Sequence, residues 1–219
     1  MVRMPPTPRR PARKPPRAYH HGDLRRALLQ EAVRTIAAQG VAGLTLREVG
    51  HQLGVSRTAL YRHFSDKSSL LASVAREGFE RFTDDLRGSW RGHEGTRRGL
   101  ELMGAAYVRF ALEHPAHYRV MFGDYRERCA KDPELQAAAA AAFQVLVDAL
   151  ISLQAAGLVR RDDPTQLATF IWAIVHGVAM LAIDGQLGAD PAGPDVELLT
   201  RFALLRMRTG IAPAAKGDA

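Results

Sequence analysis

Thr45-Leu-Arg-Glu-Val-Gly-His-Gln-Leu-Gly-Val-Ser-Arg-Thr-Ala-Leu-Tyr-Arg-His-Phe-Ser-Asp-Lys67 is the stretch that decides the fold. Thr45 followed three residues later by Glu48 has the form of a capping box, which predicts a helix starting near Leu46. Leu46, Val49 and Leu53 fall on one face at helical spacing. Gly54 tolerates left-handed dihedrals at low cost and stops that helix. Val55 is apolar inside the turn and is expected to plug it into the core. Ser56 suits the N-cap of a second short helix, from Arg57 to about His63. Ser65 or Asp66 caps a third. Two short helices joined by a Gly-containing turn of about three or four residues form the helix-turn-helix pattern.

The second helix is the one shaped to enter a major groove. Leu60 and Phe64, four residues apart, belong on its buried side. The other side presents Arg57, Thr58, Tyr61 and Arg62, with no acidic residue among them. Hydrogen-bonding side chains near the N-terminus of such a helix are where base edges are read. The rival is an ordinary basic amphipathic helix pair in a core, but caps, turn, spacing and charge all favour the first assignment.

The segment Gly54 to Lys67, with Leu70 behind it, resembles the DNA-binding motif of the TetR family of bacterial one-component regulators. The likeness runs from about His20 to Leu71 and rests on the run Leu60, Tyr61, His63 and Phe64 with Lys67 following. It implies an all-α homodimeric transcription regulator, usually a repressor released by a small molecule. By matching positions, Arg57, Thr58, Ala59 and Arg62 face bases, Ala59 through its methyl alone. An arginine bidentate to guanine would discriminate by about 1–3 kcal/mol. Tyr61, His63, Lys67, Thr45 and Arg47 suit phosphates, which position the head without reading sequence. His63 has a second possible role, as a satisfied core histidine. Ser56 completes the DNA-binding set at the helix start. Tyr19, His20 and Arg25 are phosphate candidates by the same analogy.

Charge is divided unevenly along the chain. Residues 1–67 hold 13 Lys/Arg and 4 Asp/Glu; residues 68–219 hold 17 and 19, so the chain's +7 comes from its N-terminal third. That end is the one that faces a polyanion. Residues 1–18 alternate proline with arginine or lysine and carry no acid, which predicts a disordered basic arm. The arm is either an electrostatic contact to DNA or a solvated extension. A chain of 219 residues, 47% apolar and 24% charged, is long enough for a sizeable core. The single cysteine, Cys129, allows no intrachain disulfide and fits a reducing cytoplasm. No apolar run reaches 18 residues without a charge or helix breaker, so no membrane span is assigned. The basic N-terminus is followed by no apolar run of the secretory type.

Taken in order, the chain predicts about nine helices. Asp23 caps a first long helix with core positions Leu24, Leu28, Ala32 and Ile36, and Gly40 ends it. A fourth helix runs from Asp66 to about Arg87, followed by a turn-rich break over 88–95. Helices follow from Thr96 to Glu113, over 115–122, over 132–156 and from Asp163–Pro164 to about Asp184. The last of these is apolar on nearly every side, implying one face for its own domain and one for a partner. Asp195 caps the final helix, with Val196, Leu199, Phe202, Ala203 and Leu205 as its apolar positions, and the tail from Ile211 is expected to fray. The domains are then the arm over 1–18, the head over 19–72, an effector-binding and dimerisation domain over 73–210, and the tail over 211–219. The pattern Trp172, His176, Gly177, with His114, Pro115, Tyr118, Met121 and Phe122, resembles the Trp-His-Gly (WHG) type of C-terminal domain in a subset of the TetR family. In such proteins the last two helices form a four-helix dimer interface, where Gly177 would allow close approach.

Met103, Tyr107, Phe110, His114, Tyr118, Met121, Phe143, Trp172, His176 and Met180 are candidates to line an effector pocket, with Arg109 or His176 as polar anchor. A Met and aromatic stripe is equally the mark of plain core. Neither the His20–His21 pair nor His114 with His117 has a third ligand at metal-site spacing, so no metal and no cofactor is expected. Phosphate-loop, nucleophile-elbow and His-Glu-x-x-His motifs are absent, against an enzyme. Cys129 lies beside Arg126, Arg128 and Lys131 and is either a thiol of depressed pKa or idle. Expected partners are a palindromic double-stranded operator, a small and largely apolar effector, and a second copy of the chain. The main alternative is an architectural DNA-binding protein without an effector; a helical ligand-binding or catalytic protein with a vestigial head is the third possibility.

Overall fold

The structure is a computed structural model that describes residues 21–123, 132–187 and 195–213. The described residues form nine helices and no strand: α1 His21–Gly43, α2 Leu46–Gln52, α3 Arg57–Tyr61, α4 Lys67–Trp90, α5 Arg97–Glu113, α6 Pro115–Phe122, α7 Pro133–Ala155, α8 Pro164–Ile183 and α9 Val196–Gly210. The arm over 1–18, Tyr19, His20 and Cys129 lie outside the described residues.

Local chemistry places most helix starts. Thr45, Ser56, Asp66, Thr96, Asp132, Asp163 and Asp195 each accept a backbone N–H from the first turn of the helix they precede. Each such cap is worth about 0.5–2 kcal/mol. α6 lacks a side-chain cap; Pro115, with φ preset and no N–H to satisfy, starts it instead. The Thr45–Glu48 pair is half a capping box: Thr45 Oγ1 accepts from Glu48 N, but the Glu48 carboxylate accepts from Gln52 instead of reaching back. Asp66 and Ser69 form the reciprocal box that Thr45 and Glu48 do not.

Several expected boundaries shift. Gly40 does interrupt α1, with φ 72 and ψ 172, but the chain resumes helical form to Gly43. α3 ends at Tyr61, two residues short of His63. α4 continues through Gly88 to Trp90, past its expected end. Nothing lies within 4 Å of a Cβ at Gly88, and a glycine in a helix interior costs only about 1 kcal/mol.

α4 is the spine. It packs against α1, α5, α6 and α7, while α8 joins α5, α7 and α9. Leu70, Leu71 and Val74 of α4 belong with the head, and Phe79, Phe82 and Leu86 with the larger bundle, all in one continuous core. At Gly78 a Cβ would sit 2.6 Å from Met121 Sδ, so α6 crosses close to α4 there and a larger residue would have to displace the Met121 side chain.

α8 has no charged residue over its whole length. By length and composition α7 and α8 could each cross a membrane, with mean hydropathy 1.6 and 1.8. α8 escaped that criterion in the sequence because Gly177 counts as a breaker, yet the helix runs straight through it. In the fold both pack into the bundle, with Ile171, Val175, Val178 and Ala179 buried on one side of α8. Its expected burial on all faces is not met within one chain: Phe170 is 48% exposed and Leu181 42%. α9 also turns differently from expectation. Thr200, Leu204 and Met207 face inward, whereas Phe202 and Leu205 are exposed. Ile211 does not fray: it is buried, and its carbonyl accepts from Arg160 N at 3.0 Å.

Candidate nucleic-acid interface and ligand cavity

The head is built around α3. Leu60 and Phe64 are each 2% exposed and lock its inner side to the core. Val55 packs half-buried in the turn, and Gly54 takes φ +65. Ser56 Oγ accepts from Ala59 N at 3.2 Å and fixes the helix start. Arg57, Thr58, Tyr61 and Arg62 are exposed together on the outer side. The Arg57 guanidinium stands 6.0 Å from the Tyr61 ring centre, which orients it without consuming its donors. Thr45 and Arg47, at the start of α2, are exposed as well. A five-residue helix braced from beneath, with cations and hydroxyls outward, can insert into a groove and donate to base edges and phosphates.

Other residues of the expected set are placed differently. Ala59 and His63 are half-buried, and the Ala59 side chain packs against the head core. Lys67 Nζ donates to the carbonyls of Val41 and Ala42, at 2.7 and 3.2 Å. Those carbonyls close the last turn of α1, so the lysine ties that helix end to α4. Arg25 donates to Ser73 Oγ at 3.0 Å and lies over the Phe64 ring, a brace between α1 and α4. None of these internal bonds shows in spacing, because their partners are 25 to 48 residues away.

In the larger bundle a cavity of about 510 Å³ opens between α4, α5, α6, α7 and α8. Of the candidate lining residues it gathers Tyr107, Met121, Phe143 and Trp172. Met103, Phe110, His114, Tyr118, His176 and Met180 do not line it. α5 is sandwiched between α4, α8 and α9, so only Tyr107 of its apolar stripe reaches the space. Met103 and Phe110 are core, with Phe110 against the Phe82 ring at 5.0 Å. His114 ends α5, Met180 lies half-buried on α8, and Arg109 is exposed and anchors nothing there. The walls that sequence reasoning missed come from α4, with Phe79, Phe82 and Leu86, and from α7, with Leu135, Ala139 and Ala142. The alanine run 137–142 was the available signal: small side chains opposite large rings leave room.

Behind the cavity wall lies a polar cluster. Trp172 Nε1 donates to the Tyr107 hydroxyl at 3.0 Å. Tyr118 donates to the same hydroxyl at 2.9 Å, and His176 Nδ1 lies 3.1 Å from Tyr107 Oη and 2.7 Å from Tyr118 Oη. Burial pushes both phenols up and the imidazole down from their ordinary values, so all three stay neutral. The cluster joins α5, α6 and α8. Nearby, the His114 and His117 rings meet edge to face, 6.0 Å apart. Among the described residues no group of three His, Cys, Asp or Glu side chains is placed to hold a metal ion.

A fold that is all-helical among the described residues, with an exposed basic recognition helix in one part and an apolar cavity in another, has the architecture of a one-component regulator. Residues 28–74 match the model for bacterial regulatory proteins of the tetR family, and residues 100–206 match that for a tetracyclin repressor-like C-terminal domain. The chain belongs to the TetR family of transcriptional regulators. A transcriptional repressor, AcnR of Corynebacterium diphtheriae, is 38% identical over 60 residues, which are 27% of this chain and 32% of that protein. The chain spans only a third to a half of the length of such curated relatives. Solved structures extend further. A Rhodococcus sp. RHA1 protein of unknown function superposes with TM-score 0.76 at 32% identity, over 90% of this chain and 99% of that one. A tetR-family regulatory protein of Rhodococcus RHA1 superposes with TM-score 0.66 at 20% identity, over 87% and 98%, and shows the shared fold.

Proposed function

We propose that the chain is a cytoplasmic, homodimeric repressor that binds a palindromic operator through α3 and is released by a small apolar ligand in the bundle cavity. One observation carries this. A single helix, α4, is capped by Asp66 five residues after the end of α3 and then supplies Ala75, Phe79, Phe82 and Leu86 to the cavity wall. A ligand that wedges against those side chains tilts the same rod that carries the head. A shift in operator affinity requires different affinity for the two head arrangements; 1–3 kcal/mol of coupling is typical.

Dimerisation is supported by the apolar outer faces of α8 and α9. Phe170 and Leu181 on α8, with Leu198, Phe202 and Leu205 on α9, are exposed in the single chain. Nothing of the same chain lies within 4 Å of a Cβ at Gly177. Two heads held by such a face would meet successive major grooves, roughly 34–36 Å apart or a multiple of it. The DNA-facing set is Arg57, Thr58, Tyr61 and Arg62, with Thr45 and Arg47 on phosphates and Ala59, His63 and Lys67 in supporting positions. The head and effector domains divide within α4.

Selection of bound fragments from genomic DNA, followed by Arg57→Ala on the selected site, tests the assignment. A palindromic motif with two half-sites and loss of binding in the variant is the expected result. Selection without a palindrome would favour the architectural alternative, and unchanged affinity and base preference in Arg57→Ala would remove α3 as the reader.

A further inference from the structure

The cavity's chemistry narrows what it can hold. Among the described residues its lining contains no charged side chain. Its polar side chains are Tyr107, Trp172 and, on the exposed side of α7, Gln136; the two aromatic ones are committed to each other and to their neighbours. A phenol has one donor and two acceptor positions, and the Tyr107 hydroxyl already meets Trp172, Tyr118 and His176. The Trp172 N–H is committed to Tyr107. Burial holds the Tyr107 phenol un-ionised, so it offers no countercharge to a cation. An ionised guest held between these walls would lose water and gain no partner ion among the described residues, a cost that apolar walls do not offset.

The cavity offers aromatic surface instead. Phe79 meets Phe122 edge to face at 5.4 Å and 76°, and Phe143 meets Trp172 in the same manner at 6.1 Å and 69°. Those pairs present ring edges and faces to the space, while Ala139 and Ala142 of α7 keep the opposite side shallow. Rings pack on rings by offset stacking or edge to face, geometries that a flexible aliphatic chain cannot reproduce.

We propose that this cavity is selective for uncharged, ring-bearing apolar molecules, held by aromatic edges and faces and excluding carboxylates, sulfonates and ammonium ions of similar size. The inference rests on the effector-site reading above and gives it a ligand class.

Two dyes with the same fused and pendant rings supply the test: neutral N-phenyl-1-naphthylamine, and 8-anilino-1-naphthalenesulfonate, which adds a sulfonate. Each is titrated into the full-length protein and followed by dye fluorescence. The neutral dye is expected to saturate at one per chain and to bind at least tenfold more tightly than the sulfonate. Phenanthrene is expected to displace it, and 1-decanol to do so at least tenfold less well. Ala139→Phe, which fills the space, is expected to weaken the neutral dye at least tenfold, and circular dichroism reports whether that variant folds. Phe143→Leu, close in volume but lacking the ring, is expected to weaken it several-fold and serves if Ala139→Phe does not fold.

Equal or tighter binding of the sulfonate overturns the charge exclusion, and equal displacement by decanol overturns the ring preference. Neutral-dye binding untouched by the variants places the dye on the exposed α8 and α9 faces and removes the cavity as a site. No DNA is present in these titrations. A protein that shows the selectivity but stays on its operator when loaded keeps this inference and loses the release reading.

Discussion

The head and the larger bundle use buried aromatic and apolar residues to opposite ends. In the head, α1 to α3 close around the buried Leu60 and Phe64, so the outer side of α3 is braced for recognition. In the bundle, large rings face alanines and a cavity stays open. Rigidity suits a surface that must match a fixed groove; an unfilled interior suits a guest that adds the missing contacts. The difference between them is therefore a division between reading and sensing, joined by α4.

Equal deletions in the two regions sharpen that division. Phe64→Ala and Phe110→Ala each remove a ring that is 2% exposed or less, with an expected cost of about 3–5 kcal/mol. The head is small, so Phe64→Ala is expected to abolish operator binding at ordinary temperature while the bundle keeps its dye site. Phe110→Ala is expected to lower the main thermal transition and empty the dye site together. Thermal melts with operator and dye titrations on both variants check this. If both variants lose both activities in parallel, the chain is one cooperative unit and the boundary within α4 disappears.

The next effect separates recognition from folding. Arg57→Ala is expected to cost about 1–3 kcal/mol of operator affinity, roughly 5- to 150-fold, with no change in melting temperature. Lys67→Ala is the contrasting case. Its ammonium already binds the Val41 and Ala42 carbonyls, so its loss should appear in head stability as well as in DNA affinity. Gel shifts and melts on the pair distinguish a side chain that reads from one that braces.

This contrast explains how much of the molecule was legible in advance. The head's meaning is local: Thr45, Ser56 and Asp66 cap helices a few residues away, and Leu60 and Phe64 share a face by spacing alone. The fold class and most helix starts follow from the same short-range chemistry. The cavity is assembled from five helices, and no spacing rule says that Phe79 of α4 faces the alanines of α7. A stripe such as Met103, Tyr107 and Phe110 marks a buried face without saying which member borders a void. α9 failed for a related reason. Phe202 and Leu205 carry the apolar signal expected of a core, and so does Leu204, but only Leu204 packs inward. An outer face suited to a second chain has the same periodicity as a core face, so pattern cannot rank them.

A smaller effect probes the polar cluster behind the cavity. Tyr118→Phe deletes the hydroxyl that meets Tyr107 and His176 while keeping the ring against Phe122. The expected loss is about 1–3 kcal/mol, because two buried partners are left short of a bond. Denaturant midpoints at pH 7.5 measure it. No effect would mean that the hydroxyls re-pair among themselves and that the cluster is not what holds α6 to α8.

The most subtle difference between the regions is in proton uptake. Burial lowers the His176 pKa below its ordinary 6.5. Above about pH 6.5 the imidazole is neutral in both folded and unfolded chains, and its full contribution is present. As pH falls below that value the unfolded chain takes up the proton first, and stability declines until the folded-state pKa is passed. Protonation also removes Nδ1 as an acceptor for the Tyr107 hydroxyl, whose two acceptor positions are taken by Trp172 and Tyr118. The stability difference between the natural chain and His176→Gln should be flat from pH 7 to 8 and shrink from pH 6.5 downward, because glutamine cannot titrate. Since every other histidine is common to both proteins, the difference curve isolates this one. Parallel curves from pH 5 to 8 would show that His176 binds its proton equally well folded and unfolded, and that the pocket's rear wall is open to water.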